Sequence, residues 1–166
     1  MGVMCKEAYL NKIYLFDWGD TLMVDFPDQK GKMCDWDEVQ AVNGAHEILE
    51  NLSREHLIYV ATNAADSSEN DIKLAFERVG LAQFLAGYFC KANLGLGKGS
   101  PEFFHKIAQD LGVSHDSLIM VGDSLDNDIL PAINAGVSAV WFNPKFEPND
   151  SVVRVNQINK LCEICT

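Results

Sequence analysis

Asp17 closes an apolar run, Ile13-Tyr14-Leu15-Phe16, and opens the stretch Asp17-Trp18-Gly19-Asp20-Thr21. Far downstream the device repeats: Leu118-Ile119-Met120-Val121-Gly122 runs into Asp123-Ser124, with Asp126 and Asp128 close behind. An unpaired buried carboxylate is costly, so an acid at the end of a buried strand points to a cation beside it. Two such strand ends in one open α/β sheet meet at its carboxyl edge, where ligands of these folds bind. The chemistry this suggests is phosphoryl transfer, which needs an in-line nucleophile and neutralised charge on the non-bridging oxygens. A carboxylate can be that nucleophile and form an acyl phosphate. Carboxylate and phosphate repel each other, so a cation must bridge them. Mg²⁺ takes oxygen ligands and keeps several waters, and one or two carboxylates suffice to hold it. Asp17 and Asp123 are the candidate ligands; Asp128 is suited to act through water or to orient Asp123. The Thr62 hydroxyl and the Asn63 backbone N–H are candidates for holding phosphate. Lys98, in the glycine-rich turn Gly97-Lys98-Gly99, is the candidate cation for Asp17 and bound phosphate together.

These residues need elements to carry them. Short apolar runs predict strands at Lys12–Asp17, Leu57–Thr62, Gly87–Ala92, Leu118–Gly122 and Ser138–Phe142. Between them, capping signals predict helices. One starts at Asp35 or Asp37 and runs to about Arg54, with Val39, Val42, Ile48, Leu49 and Leu52 inward. A second starts at Asp66, Ser67 or Ser68 and stops at Gly80. A third begins at Ser100-Pro101 and ends at Gly112, and a fourth covers Asp126 to Ala135. The tail predicts a short strand at Ser151–Val155 and a helix reaching Cys165. Alternating strands and helices imply a parallel sheet covered on both faces.

The totals set bounds. With 166 residues, 48% hydrophobic and 22% charged, the chain suits one globular domain over residues 1–166. A net charge of −11 repels a nucleic-acid backbone, so nucleic acid is not an expected partner. It leaves small phosphorylated substrates open, because a bound cation and a lysine reverse the field inside a pocket. No apolar run is long enough to span a membrane. The first residues carry an early acid and make a poor signal peptide, and Lys6 stands where myristoylation requires Ser or Thr. A soluble, cytoplasmic protein is expected. The five cysteines are odd in number and scattered, unlike a disulfide framework; Cys162 and Cys165 form a lone Cys-x-x-Cys that reads as a helix face. His46, His56, His105 and His115 show no mutual spacing and read as surface residues.

The order of these segments resembles the haloacid dehalogenase (HAD) superfamily, whose members are mostly Mg²⁺-dependent phosphatases with an aspartate nucleophile. The family's first motif, a strand followed by Asp-x-Asp-x-Thr, is met by Asp17 and Thr21. Its second, an apolar strand ending in Ser or Thr, is met by Val60-Ala61-Thr62-Asn63. Lys98 in Gly97-Lys98-Gly99-Ser100-Pro101 fits the third, a lysine shortly before a helix. Gly122-Asp123-Ser124 with Asp128 fits the fourth. Each motif alone is weak, but four in family order over nearly the whole chain are specific. The resemblance implies a three-layer, Rossmann-like α/β core and Mg²⁺ held by Asp17, Asp123 and the carbonyl of Gly19, with Asp128 in support. It also implies phosphomonoester hydrolysis through an aspartyl phosphate on Asp17. A dehalogenase would need no Mg²⁺ and would leave Asp123 and Asp128 unexplained.

The chain departs from the family at one place. Its phosphatases carry a second aspartate two residues after the nucleophile, which protonates the leaving group and later activates water. Here Gly19 occupies that place and Asp20 follows. A glycine carbonyl still serves a metal, whereas loss of a placed acid costs ~10²–10⁴ in rate. Three routes stay open: Asp20 swings in on the permissive Gly19 backbone, the substrate is a phosphonate or acyl phosphate whose leaving group needs no proton, or the chain is a weakened phosphate-binding or regulatory module. Asp20 as a mere turn cap is the plainer alternative. Family members often insert a cap domain, but here only a flap fits between Thr21 and Asp35, and only a strand and loop between Gly80 and Lys98. A capless, open site suits a small phosphorylated molecule, a phosphate on a larger one, or a neighbouring subunit as lid in a homo-oligomer. Trp18, Met23, Phe26, Met33 and Trp36 either line that entrance or a dimer surface, or pack the flap.

Overall fold

The structure, a computed structural model, describes residues 12–164. Six strands form: β1 Ile13–Phe16, β2 Leu57–Ala61, β3 Gly87–Phe89, β4 Leu118–Gly122, β5 Ser138–Phe142 and β6 Asn156–Ile158. They make one sheet in the order β3-β2-β1-β4-β5-β6, every neighbouring pair parallel. The chain starts in the middle, builds one half through β2 and β3, then crosses to β4 and builds the other. β1 and β4 therefore flank the switch point, the crevice where ligands of such sheets bind. Phe16 pairs with Val121, and the Asp17 N–H continues the ladder to the Val121 carbonyl at 2.9 Å. That register brings Asp17 and Asp123 out at the same edge.

Five α-helices cover the sheet: α1 Ala45–Ser53, α2 Glu69–Arg78, α3 Lys91–Leu94, α4 Pro101–Leu111 and α5 Leu130–Asn134. Tyr14 and Phe16 of β1 pack in a cluster with Ile48, Leu49, Leu52, Ile72 and Phe76 of α1 and α2. Ile13 and Leu15 pack with Phe103, Phe104, Ile107 and Ala132 of α4 and α5. Alternate residues thus feed two cores, which is why β1 is apolar throughout. Burial of each large side chain contributes roughly 1.5–3 kcal/mol. At the start of α2, Ser68 accepts from the Asp71 N–H at 3.2 Å while Asp71 accepts from the Ser68 N–H at 2.9 Å, a reciprocal cap.

Several boundaries differ from expectation, each for a local reason. The first helix starts at Ala45, not at Asp35 or Asp37. Met33–Asp35 makes only a 3₁₀ turn, and the segment after it pairs with the flap, Val24 N–H to the Gln40 carbonyl and Val42 N–H to the Leu22 carbonyl, both at 2.8 Å. Arg78 holds this loop by donating to the Cys34 and Trp36 carbonyls at 3.2 and 2.6 Å. β3 stops at Phe89 because α3 follows at once. The sixth strand lies at Asn156–Ile158 rather than 151–155, where Asn149 and Ser151 close a side-chain turn instead. Leu161–Glu163 is a single 3₁₀ turn rather than a tail helix; Cys162 is exposed, and Cys165 lies outside the described residues, as do residues 1–11 with Lys6. After β4 the chain makes a π-helical turn, Leu125–Ile129, before α5.

Trp18, Met23, Met33 and Trp36 are buried in the α1–α2 core, with Phe26 packed against it. They pack the flap and do not form an entrance or a dimer surface. No cap interrupts the core among the described residues, and no helix there is long and apolar enough to cross a membrane.

β4 ends on glycine because the Asp128 carboxylate lies against it: a Cβ on Gly122 would sit 2.3 Å from Asp128 Oδ2. Gly122→Ala is expected to destabilise the fold by roughly 1–3 kcal/mol or more, as overpacking does. A denaturant melt checks it; an unchanged midpoint would mean that Asp128 moves freely.

Candidate active site

Asp17 leaves β1 with 9% of its surface exposed. It faces Asp123 beyond β4 and Asp128 in the π-helical turn; oxygens of the three carboxylates lie within 4.8 Å of one another. Lys98 is 3% exposed and places Nζ 2.5 Å from Asp17 Oδ1 and 2.6 Å from Asp128 Oδ1. The loop that delivers it is held by Asn63, whose Oδ1 accepts the Lys98 backbone N–H. Gly97 makes room for that contact, since a Cβ there would stand 3.1 Å from the same oxygen. Thr62, buried at the end of β2, uses its hydroxyl to accept from the Ala64 N–H at 3.2 Å.

Other contacts hold the acids. Thr21 Oγ1 is buried between two of them, 3.2 Å from Asp123 Oδ1 and 3.4 Å from Asp17 Oδ2. Trp141 Nε1 donates to the Asp123 carbonyl at 2.9 Å, and the Ser124 N–H donates to Asp128 Oδ2 at 3.1 Å.

The charges show what this cluster lacks. Burial, then the neighbouring carboxylates Asp17 and Asp128, push Asp123 up to about 8. Burial and Asp17 push Asp128 up to about 6, although Lys98 and the Ser124 N–H oppose the shift. Burial alone would lower Lys98, but Asp17 and Asp128 outweigh it and raise the ammonium above its usual range. Three carboxylates face one ammonium, so negative charge is in excess. Hard oxygen donors at this spacing fit Mg²⁺. Asp128 has one oxygen on Lys98 and the other on Ser124, which leaves it a supporting part. Asp17 Oδ2 and Asp123 Oδ1 have the Thr21 hydroxyl between them, with no cation paired to Asp123 among the described residues.

Asp17, Asp123, Asp128 and Lys98 thus come together, with Asn63 bonded to the Lys98 loop, whereas Asp20 turns elsewhere. It is exposed, adopts a left-handed φ of +58°, and its Oδ1 accepts the Asp25 N–H at 3.0 Å. That is a turn cap. The side of Gly19 where a side chain would start is faced by Asp25: a Cβ there would lie 3.6 Å from Asp25 Cβ and 3.7 Å from Oδ2. Burial, then Asp20 and Asp17, raise the Asp25 carboxyl. Nothing in the sequence marks Asp25 among the flap acids. Thr21 was visible as part of a motif, but not as the hydroxyl between two acids. The histidines also differ from expectation in one respect. His105 Nδ1 and His115 Nε2 lie 2.6 Å apart, but His115 precedes β4 and so sits at the sheet edge opposite Asp123.

Asp123 carries its proton to higher pH in the folded chain than the ordinary 3.8. Its contribution to stability is therefore present below about pH 4 and lost as pH rises through about 8. Metal-free protein is expected to melt at lower temperature at about pH 9 than at about pH 5, and Asp123→Asn to flatten that fall. Added Mg²⁺ should restore more at the higher pH. Lys98→Met, by leaving buried carboxylates unpaired, is expected to cost ~3–5 kcal/mol in a metal-free denaturant melt. A loss in the variant of less than about 1 kcal/mol, the value for an exposed pair, would show that the ion pairs do not persist in solution.

Residues 11–136 match the haloacid dehalogenase-like hydrolase family. The pyrimidine 5'-nucleotidase PynA of Streptococcus pneumoniae is 35% identical over 107 residues, 63% of this chain and 44% of that protein. The chain spans about half the length of the curated relatives it matches. Among solved structures, an uncharacterized protein from Listeria monocytogenes serotype 4b superposes with a TM-score of 0.81 at 20% identity, covering 92% of this chain and 94% of that one. The HAD-hydrolase YfnB of Bacillus subtilis, solved bound to magnesium, gives 0.74 at 18% identity over 92% and 96% of the two chains. The six-stranded parallel sheet, the four motifs at its carboxyl edge and the family match agree: the chain belongs to the haloacid dehalogenase-like hydrolases.

Proposed function

We propose that this chain is a single-domain, Mg²⁺-dependent phosphomonoesterase that works through an aspartyl phosphate on Asp17. The observation that carries the reading is the Asp17 environment. One oxygen is fixed by the buried Lys98 ammonium at 2.5 Å, and the other faces Asp123 and Thr21. Such a carboxylate is oriented before any substrate arrives, and orientation supplies much of the barrier reduction in phosphoryl transfer. Asp17, Asp123 and the Gly19 carbonyl would hold Mg²⁺, supported by Asp128; the ion would offset the charge of the incoming phosphate. The Thr62 hydroxyl and the Asn63 N–H would bind phosphate oxygens. Lys98 would hold Asp17 in place while it attacks phosphorus.

A nucleotidase and other phosphatases among the relatives favour a phosphorylated small molecule as substrate, and the capless edge also admits a phosphate on a larger molecule. The acidic surface argues against nucleic-acid polymers. We place the protein in the cytoplasm, with a homo-oligomer as a further possibility that sizing in solution tests. Gly19 and the tied Asp20 favour a second reading, in which turnover is slow or restricted to phosphonate or acyl-phosphate substrates, or the chain binds phosphate as a regulatory module.

Hydrolysis of para-nitrophenyl phosphate with and without Mg²⁺ separates them. The primary reading predicts release that requires the metal and falls at least ~10³-fold in Asp17→Asn, as loss of a nucleophile does. Release that survives Asp17→Asn would rule the mechanism out, and silence from folded wild type would favour the binding module.

A further inference from the structure

The flap brings an acid to the place that Gly19 leaves bare. We propose that Asp25 is the general acid and base of this site, a role that rests on the phosphohydrolase reading above. A side chain at position 19 would begin 3.6 Å from Asp25 Cβ and 3.7 Å from its Oδ2, so the Asp25 carboxyl stands beside the place such a side chain would leave from. Asp20 is unsuited. Its carboxylate is committed to the Asp25 N–H at 3.0 Å, and that bond fixes the Asp25 backbone. The residues on either side are anchored as well: Val24 donates to the Gln40 carbonyl at 2.8 Å, and Phe26 packs against the core. The Asp25 carboxylate itself is exposed and accepts no hydrogen bond within the described residues. It is held at its root and free at its tip.

The proton balance closes. As an Asp17 oxygen bonds to phosphorus and the P–O bond to the alcohol breaks, the Asp25 proton passes to the departing oxygen. In the second half, water attacks phosphorus and gives its proton to Asp25 while the P–O bond to Asp17 breaks. Phosphate leaves and both carboxyls return to their starting states.

The test compares para-nitrophenyl phosphate, whose leaving group needs no proton, with glycerol phosphate, whose alkoxide does. Asp25→Asn is expected to lower glycerol phosphate turnover ~10²–10⁴-fold. With the aryl ester it should release a burst of nitrophenolate, about one per active site, and then slow as phospho-Asp17 accumulates. Adding Gly19→Asp to Asp25→Asn should return much of the alkyl turnover, since position 19 has ordinary backbone and a Cβ there meets residue 25 only at van der Waals distance. Asp28→Asn, in the same flap, should match wild type. Alkyl turnover in Asp25→Asn within about threefold of an active wild type would overturn the role of Asp25 alone. Equal loss on both esters, without burst or rescue, would assign Asp25 a structural part and overturn it too. A wild type that shows neither turnover nor burst would remove the phosphohydrolase reading and Asp25's role with it.

Discussion

A lysine buried among three carboxylates governs the architecture of this protein. Lys98 can be 3% exposed and charged only because Asp17 and Asp128 meet its ammonium at 2.5 and 2.6 Å. Those acids can be buried only because Lys98 and the Ser124 N–H meet them. Each piece of the fold serves that mutual requirement. The β1–β4 register delivers Asp17 and Asp123 to one edge, Asn63 clamps the lysine loop, and Gly122 vacates the space that Asp128 fills. The arrangement still leaves negative charge in excess, and burial together with Asp17 and Asp128 pushes Asp123 up to about 8. A site left anionic in this way calls for a cation and, through the cation, for an anionic ligand.

Much of this was legible in the sequence because the physics is local. Apolar runs of four or five residues ending in acids describe buried parallel strands, and Ser-Pro before a helix and Gly after one are steric facts. Lys98, Asp17, Asp123 and Asp128 were legible as chemistry because buried charges need partners, and the structure brings them together. What was hidden depends on contacts between distant segments. The stretch after Asp35 reads as helix, yet the flap needs backbone partners and takes it as an extended strip from Gln40 to Val42. Trp18 and Trp36 read equally as a surface or a core until α1 and α2 close over them. The nearness of Asp25 to Gly19 follows from the closed turn at Trp18–Met23, where the Leu22 and Met23 N–H groups both donate to the Trp18 carbonyl at 3.1 Å. No local periodicity encodes that.

The flap therefore carries what distinguishes this chain from the family pattern. The core positions Asp17 and Asp123 through strand ends, which tolerate little change. The flap is tied by backbone hydrogen bonds to the 40–42 strip, by Arg78 and Lys32 contacts and by an apolar anchor, and it can bring an acid beside Gly19 without touching the sheet. On the proposed reading, glycine at position 19 would cost no metal ligand, because a carbonyl would serve there whatever the side chain. It would change only where the proton comes from.

The central claim is that Asp17 is a nucleophile set beside a cation. The most direct measurement is a crystal structure grown with Mg²⁺ and beryllofluoride, a mimic of phosphoryl on aspartate. The account predicts beryllium bonded to one Asp17 oxygen, Mg²⁺ held by Asp17 and Asp123, and Lys98 still paired with Asp128. Beryllofluoride bound away from Asp17, or a site in which Mg²⁺ fails to contact Asp17 and Asp123, would contradict it.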